Sequence, residues 1–360
     1  MRSTNHFVGR LAAVVATACT LLLVFSSTAS ANTFGDHDSP TLREAAARLG
    51  LHVGSAVSYS ALTNDAQYAH ILGQQFSAIT PENEMKWASV EAQQGVYDFT
   101  QADAEVQFAR EHHQLVRGHN LVWHSQLPDW LTSGTFTNAQ LADILKQHIF
   151  TEAGHFRGDI WQWDVVNEPF NDDGTLRNTM WLNALGPNYI ADALRWTHEA
   201  DPHAKLFLND YNIEGIGAKS DAMYALVKSL IAQHVPIDGV GFETHLDLQF
   251  SLPPQIQENF ERFAALGLDV DITEMDVRMF VPATPDQLAA QASVYAQLMQ
   301  DCLAVRRCVD FTVWEFTDKY SWVPGFFTGE GAADIYDENF NPKPAYDALL
   351  KTLEQHHRRW

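Results

Sequence analysis

The chain has 360 residues, with 23 basic against 45 acidic side chains and a formal charge of −22. So acidic a surface repels phosphate backbones and anionic lipid, which excludes nucleic acid and membranes as expected partners. The length admits two average domains or one α/β barrel, and the absence of a Pro-rich or Ser-rich linker after Asn32 favours one unit.

Residues 1–31 read as a secretory signal: Arg2, His6 and Arg10 form a basic start, Leu11 to Phe25 an apolar run, and Ala29-Ser30-Ala31 a small-residue cleavage site. The alternative is an uncleaved anchor, but the run of about 15 residues is short for a membrane span of roughly 20. The expected mature chain is a secreted, extracellular, monomeric protein of residues 32–360. Cleavage takes away Cys19, Arg2 and Arg10, so the mature charge is −24 and the remaining cysteines are Cys302 and Cys308. In an exported chain this pair is expected to form a disulfide, the alternative being two buried thiols.

Eight apolar, β-branched or aromatic runs then recur. They are LHVGSAV from Leu51, AITPENE from Ala78, LVRGHNLVW from Leu115 and IWQWDVVNE from Ile160, followed by AKLFLNDY from Ala204, DGVGFETHL from Asp238, DVDITEMDV from Asp269 and VDFTVWEFTD from Val309. The stretches between them can hold helices. Leu141, Ile144, Leu145 and Ile149 follow Thr137 with helical periodicity, and Leu288, Val294, Leu298 and Met299 follow Pro285 in the same way. Alternating strand and helix implies parallel strands covered by helices, and eight repeats can close into a (β/α)8 barrel. An open doubly wound sheet is the alternative, but no glycine-rich phosphate loop follows the first run.

Glu168 in DVVNEP and Glu274 in DITEMD each close such a run, 106 positions apart. At about 30 to 35 residues per strand-helix unit, that spacing corresponds to strands four and seven. Two carboxylates at the ends of different strands can share one cleft, and glycosidic hydrolysis requires such a pair, one as acid and one as nucleophile. The other runs also end in polar and aromatic clusters: Glu82, Asn83, Lys86 and Trp87; His119, Trp123, His124 and Gln126; Asn209 to Asn212; Glu243 and His245; Trp314, Asp318, Lys319 and Trp322. In a barrel all of these converge on the C-terminal face. Tryptophans to stack on pyranose rings, and amides, Lys and His for hydroxyls, suit a sugar. Trp123, Trp314 and Trp322 are expected in the cleft, whereas Trp161 and Trp163 are as readily structural. His119, His124, His245, Glu274 and Asp276 contain the donors of a metal site but no compact ligand motif, so neither metal nor cofactor is expected.

The motifs TPENEMKW, RGHNLVWHSQLPDW, WDVVNEPF, LFLNDYNIEG, ITEMDV and VWEFTDKYSW occur in an order that resembles glycoside hydrolase family 10, the endo-β-1,4-xylanases, from about Leu42 to Leu349. The resemblance implies a retaining (β/α)8 enzyme in which Glu168 is the general acid/base and Glu274 the nucleophile. It further implies that Asn167 bonds the sugar 2-hydroxyl, that His245 and Asp276 orient Glu274, and that Glu82, Asn83, Lys86, His119, Trp123, Trp314 and Trp322 line the glycone side. Tyr211 faces the same cleft. Retention implies carboxyl groups about 5 to 5.5 Å apart.

Three positions depart from the family pattern: Glu243 where Gln is usual, Glu315 where Gly is common, and Val323 where Arg is common. They resemble a tomatinase-like branch that releases the oligosaccharide of a plant glycoalkaloid. Glu243 is expected either to raise the pKa of Glu168 or to stay protonated itself. A dead, carbohydrate-binding barrel is the alternative of another class, and it expects one of the two glutamates to be missing.

Overall fold

In the computed structural model, which describes residues 40–356, the eight runs form eight strands. These are β1 (His52–Val57), β2 (Ala78–Pro81), β3 (Leu115–Val122), β4 (Gln162–Asn167), β5 (Lys205–Asp210), β6 (Gly239–Phe242), β7 (Asp269–Phe280) and β8 (Cys308–Val313). Neighbours pair in parallel around the ring, and β8 pairs with both β7 and β1, so the sheet closes. Each strand is followed by a covering helix: α1 (Ala66–Gln75), α2 (Thr100–Glu111), α3 (Asn138–His155), α4 (Tyr189–Ala200), α5 (Ala218–Ala232), α6 (Ile256–Ala264), α7 (Pro285–Ala304) and α8 (Pro344–Gln355). This is a (β/α)8 barrel. The signal-like segment, Cys19 and residues 357–360 lie outside the described residues.

The helix starts follow from local chemistry. Thr137 and Thr284 each cap a helix through the backbone N–H three residues on, and Gln140 and Gln287 return the bond to the cap's own N–H. Such reciprocal caps satisfy two donors that a helix start otherwise leaves open, and Pro285 fits the first position because it has no N–H to lose. The apolar stripes face inward: Leu141, Leu145, Ile149, Leu298 and Met299 are buried. Cys302 at the end of α7 and Cys308 at the start of β8 are joined by a disulfide.

Two departures from the predicted runs shape the site. The run from Asp238 breaks after Phe242, because Thr244 takes a left-handed φ of 62°, and resumes as a short strand, His245–Asp247. β7 does not end at Glu274 but runs on to Phe280. Beyond the barrel its backbone groups find partners in His245–Asp247 on one side and in antiparallel Glu330–Gly331 on the other. Trp161 and Trp163 are structural. Trp163 is fully buried with its ring against the Gly118 backbone, where any Cβ would fall 2.2 Å from the indole, and Trp161 packs edge-on against His52.

The barrel interior is charged. Arg117 bonds Asp164 through Nε and Nη2, reaches Asp271 at 3.1 Å and Gln162 at 2.8 Å through Nη1, and stacks on Phe207. Burial pushes Asp271 up to about 8 and Asp310 up to about 6.

At the end of β8, Glu315 is fully buried and accepts a 2.5 Å bond from Tyr68 Oη. Its φ of 70° explains why glycine suits this position. Burial, then the charge of Glu82, pushes its pKa well above the carboxylate range. The native state therefore keeps a proton that the unfolded chain releases near pH 4.3, and stability is lost as pH rises from there toward the native value. Glu315→Gln should abolish this contribution. Relative to wild type, the variant gains stability between pH 5 and pH 8, at a rate of at most about 1.4 kcal/mol per pH unit. Urea midpoints at the two pH values test this, and equal shifts at both would sink the idea.

Candidate active site

The strand ends open into a cleft of about 690 Å³. β2 ends at Pro81 and delivers Glu82, Asn83 and Lys86 on the following turn; β3 supplies His119 from within the strand and Trp123 and Gln126 just beyond it. β4 delivers Asn167 and Glu168, the loop after β5 Tyr211, the break after β6 Glu243 and His245, β7 Glu274, the end of β8 Trp314, and the loop beyond it Trp322. Of the residues to which the family resemblance assigns a role, all but one line this space. The exception, Asp276, is buried behind His245.

Other expectations fail. Trp87 belongs to the core, stacked between His148 and Trp181 at 3.6 and 5.3 Å. Asp318 turns away to pair with Lys343 at 2.9 Å, and Lys319 reaches Asp65 at 2.6 Å. Both lie in the loop past the end of β8, which turns away to these partners before Trp322 returns to the cleft through its bond to Asp276.

The two glutamates are held differently. Glu168 directly follows β4 with a left-handed φ of 51°, and its N–H donates to the Asn209 carbonyl at 2.8 Å. Such a conformation costs a non-glycine residue about 1 to 2 kcal/mol and aims the side chain out of strand register. Glu274 sits inside β7 between Ile272, which pairs with Phe242 and Phe311, and Met275, which pairs with Val313, where the register against β8 shifts. Its Oε2 faces His245 Nε2 at 3.2 Å, and its Oε1 accepts from Asn209 Nδ2 at 2.8 Å. His245 Nδ1 in turn donates to Asp276 Oδ2 at 2.8 Å, an oxygen that also accepts from Trp322 Nε1 at 2.8 Å.

These surroundings separate the two carboxyls. Burial, reinforced by the charge of Glu274, lifts Glu168 above the ordinary range. Burial pushes Glu274 up too, but the His119 imidazole and the hydrogen bond from His245 outweigh it and leave its pKa below the usual value. Burial opposes a charge on His245, yet Asp276 and Glu274 raise its pKa to about 10. One carboxyl thus favours the acid form and the other the anion.

Glu243 resolves the choice posed by its sequence position. It is buried, and burial followed by the charges of Glu274 and Glu168 drives its pKa well above the carboxylate range, so Glu243 itself holds a proton. A neutral carboxylic acid has one carbonyl acceptor and one O–H donor, the same polarity as the amide of Gln.

Asn209 ties the floor together, its Nδ2 lying 2.9 Å from Asn167 Oδ1, 3.1 Å from Glu243 Oε1 and 2.8 Å from Glu274 Oε1. Arg177, absent from every motif, donates through Nε to the Glu168 carbonyl at 3.0 Å and through Nη2 to Tyr211 Oη at 2.8 Å. Its only sequence signal is a lone cation in the acidic loop after WDVVNEP.

Among the described residues, Glu243, His245 and Glu274 bring three metal-donor atoms within 4.8 Å of one another. Both His245 nitrogens point at carboxylates and the ring is protonated, so it has no lone pair for a cation. Val323 is buried at the first position of a one-turn helix, Val323–Phe326, and places no cation beside Trp322.

Residues 41–352 match the model of Glycosyl hydrolase family 10. An endo-1,4-beta-xylanase of Agaricus bisporus is 48% identical over 293 residues, covering 81% of this chain and 88% of the relative. Endo-1,4-beta-xylanase B of Thermotoga neapolitana is 43% identical over 340 residues, covering 93% and 96%. Among solved structures, xylanase 10B of Thermotoga petrophila, in complex with xylobiose, superposes with a TM-score of 0.86 at 44% identity, covering 89% of this chain and 99% of the other. The barrel, the cleft at its C-terminal face and these relatives agree: the chain belongs to glycosyl hydrolase family 10 and is a glycosidase.

Proposed function

We propose that the protein is a secreted endo-1,4-β-xylanase that cleaves internal β-1,4-xylosidic bonds with retention of anomeric configuration. The observation that carries this reading is the opposite bias of the two glutamates, Glu168 toward the acid and Glu274 toward the anion. Glu274 attacks the anomeric carbon while Glu168 protonates the leaving oxygen. Glu168, now a base, then activates the water that hydrolyses the glycosyl-enzyme. Asn167 is positioned by Asn209 to meet the sugar 2-hydroxyl, and His245 with Asp276 keeps Glu274 ionised. The names of the relatives and the xylobiose bound to one of them support xylan as the substrate. The three-part pattern of residues 1–31 supports export, with a mature catalytic chain beginning near Asn32.

The mature chain, incubated with xylan and separately with α-tomatine, should release reducing sugar from the first and no aglycone from the second. NMR of the earliest product should show the β-anomer. Aglycone release without attack on xylan, or an α-anomer formed first, would overturn the reading.

Asp276→Asn should move the acidic limb of kcat/KM to higher pH. Losing the Asp276 charge lets the His245 pKa fall, and Glu274, deprived of a cation, rises toward the ordinary range. Ionised Glu274 then becomes scarce at a pH where wild type still has it. A displacement of roughly one pH unit is expected, whereas an unmoved limb with only a lower plateau would assign Asp276 a purely structural part.

A further inference from the structure

Trp322 stands beside the nucleophile, anchored by its bond to Asp276, and a strip of aromatic surface leads outward from it. Phe326 and Phe327 pack against the indole at 5.4 and 5.6 Å and against each other at 4.9 Å. Phe327 lies 4.0 Å over the Arg278 guanidinium, and Phe280 follows Arg278 on the same face of β7 because strand side chains alternate. Phe326 is 71% exposed and Phe280 52%. Arg278 brings no free charge, since Asp247 and Glu330 bind it at 3.1 and 2.8 Å.

We propose that this strip binds a neutral aromatic ester group carried by the xylan chain, so that the enzyme prefers aromatically esterified xylan to the bare polymer. The proposal rests on the xylanase reading and names a substrate class within it. Three observations select this occupant. The strip is continuous with the cleft, and so favours a group attached to the bound sugar chain. Trp322, Phe326 and Phe327 pack as a cluster with Phe326 exposed, and Phe280 is exposed on the adjoining strand, the signature of a surface kept for a partner, with faces on which a flat ring can stack. The formal charge of −22 repels a second copy, an anionic lipid surface or a free aromatic acid, while an ester carries no charge.

The test compares feruloylated arabinoxylan with the same preparation after alkaline removal of its esters. Wild type should favour the esterified polymer by about three- to tenfold in kcat/KM, the value of one aromatic contact. Phe280→Ser combined with Phe326→Ser should reduce that ratio to near one, and Phe280→Trp with Phe326→Trp should keep it. No preference in wild type, a ratio unchanged by the Ser pair, or equal losses on both polymers would each overturn the proposal. Wild-type inactivity on the de-esterified polymer would instead count against the xylanase reading.

Discussion

Glu274→Ala should abolish xylan hydrolysis, lowering kcat by at least about 10⁴-fold, as loss of a covalent nucleophile does elsewhere. The size of the effect follows from what the site invests in this one carboxylate. Asn209 donates to one oxygen, protonated His245 faces the other, and Asp276 fixes that histidine from behind. No second group can take over: Glu243, which shares the Asn209 amide with Glu274, is kept neutral first by its burial and is a poor nucleophile. The variant should remain folded, since β7 keeps its backbone pairing on both sides. Azide, small enough for the space left by the carboxylate, should restore turnover and yield the α-glycosyl azide by a single inversion. A β-product, or residual xylan hydrolysis within tenfold of wild type, would move the nucleophile elsewhere.

Glu168→Ala should separate substrates by leaving group. Hydrolysis of xylan, whose leaving sugar alkoxide needs a proton, should fall by roughly 10² to 10⁴-fold, the usual worth of general acid catalysis. An activated aryl xylobioside needs no such proton, so its glycosylation step should be largely spared. Its second step also depends on Glu168, now as base, so the variant should show a burst of phenolate followed by slow turnover. Equal slowing on both substrates, without a burst, would show that Glu168 is not the acid.

The strands, their order and both glutamates were legible because each rests on a short-range pattern: an apolar run ending in a polar cluster. Asn167, Trp123 and Trp314 were legible for the same reason, each lying at or next to its strand end, while Trp322, well past β8, was legible only through the motif VWEFTDKYSW. Distance from the strand end is where legibility failed. Asp318 and Lys319 turn outward to partners at Lys343 and Asp65 that no local pattern announces. Trp87 is indistinguishable in sequence from a cleft aromatic, and only the stack with His148 and Trp181 makes it core. The continuation of β7 past Glu274 depends on two short strands supplied from elsewhere in the chain. Arg177 lies in a loop without a motif, and the neutral state of Glu243 depends first on its burial and then on two carboxylates brought beside it by folding.

The different mounting of the two glutamates bears on how this barrel can be redesigned. Glu274 lies within β7, held between the paired residues Ile272 and Met275, so its backbone does not depend on a loop. Glu168 owes its aim to one left-handed residue at the top of β4, and the loop behind it contributes Arg177, which grips its carbonyl. A graft after β8 that begins beyond Trp322 is therefore the place to alter which sugars bind, whereas one after β6 would take His245 from Glu274 and one after β5 would take Tyr211 from Arg177. A graft after β4 would instead retune the acid, and with it the leaving groups the enzyme can expel.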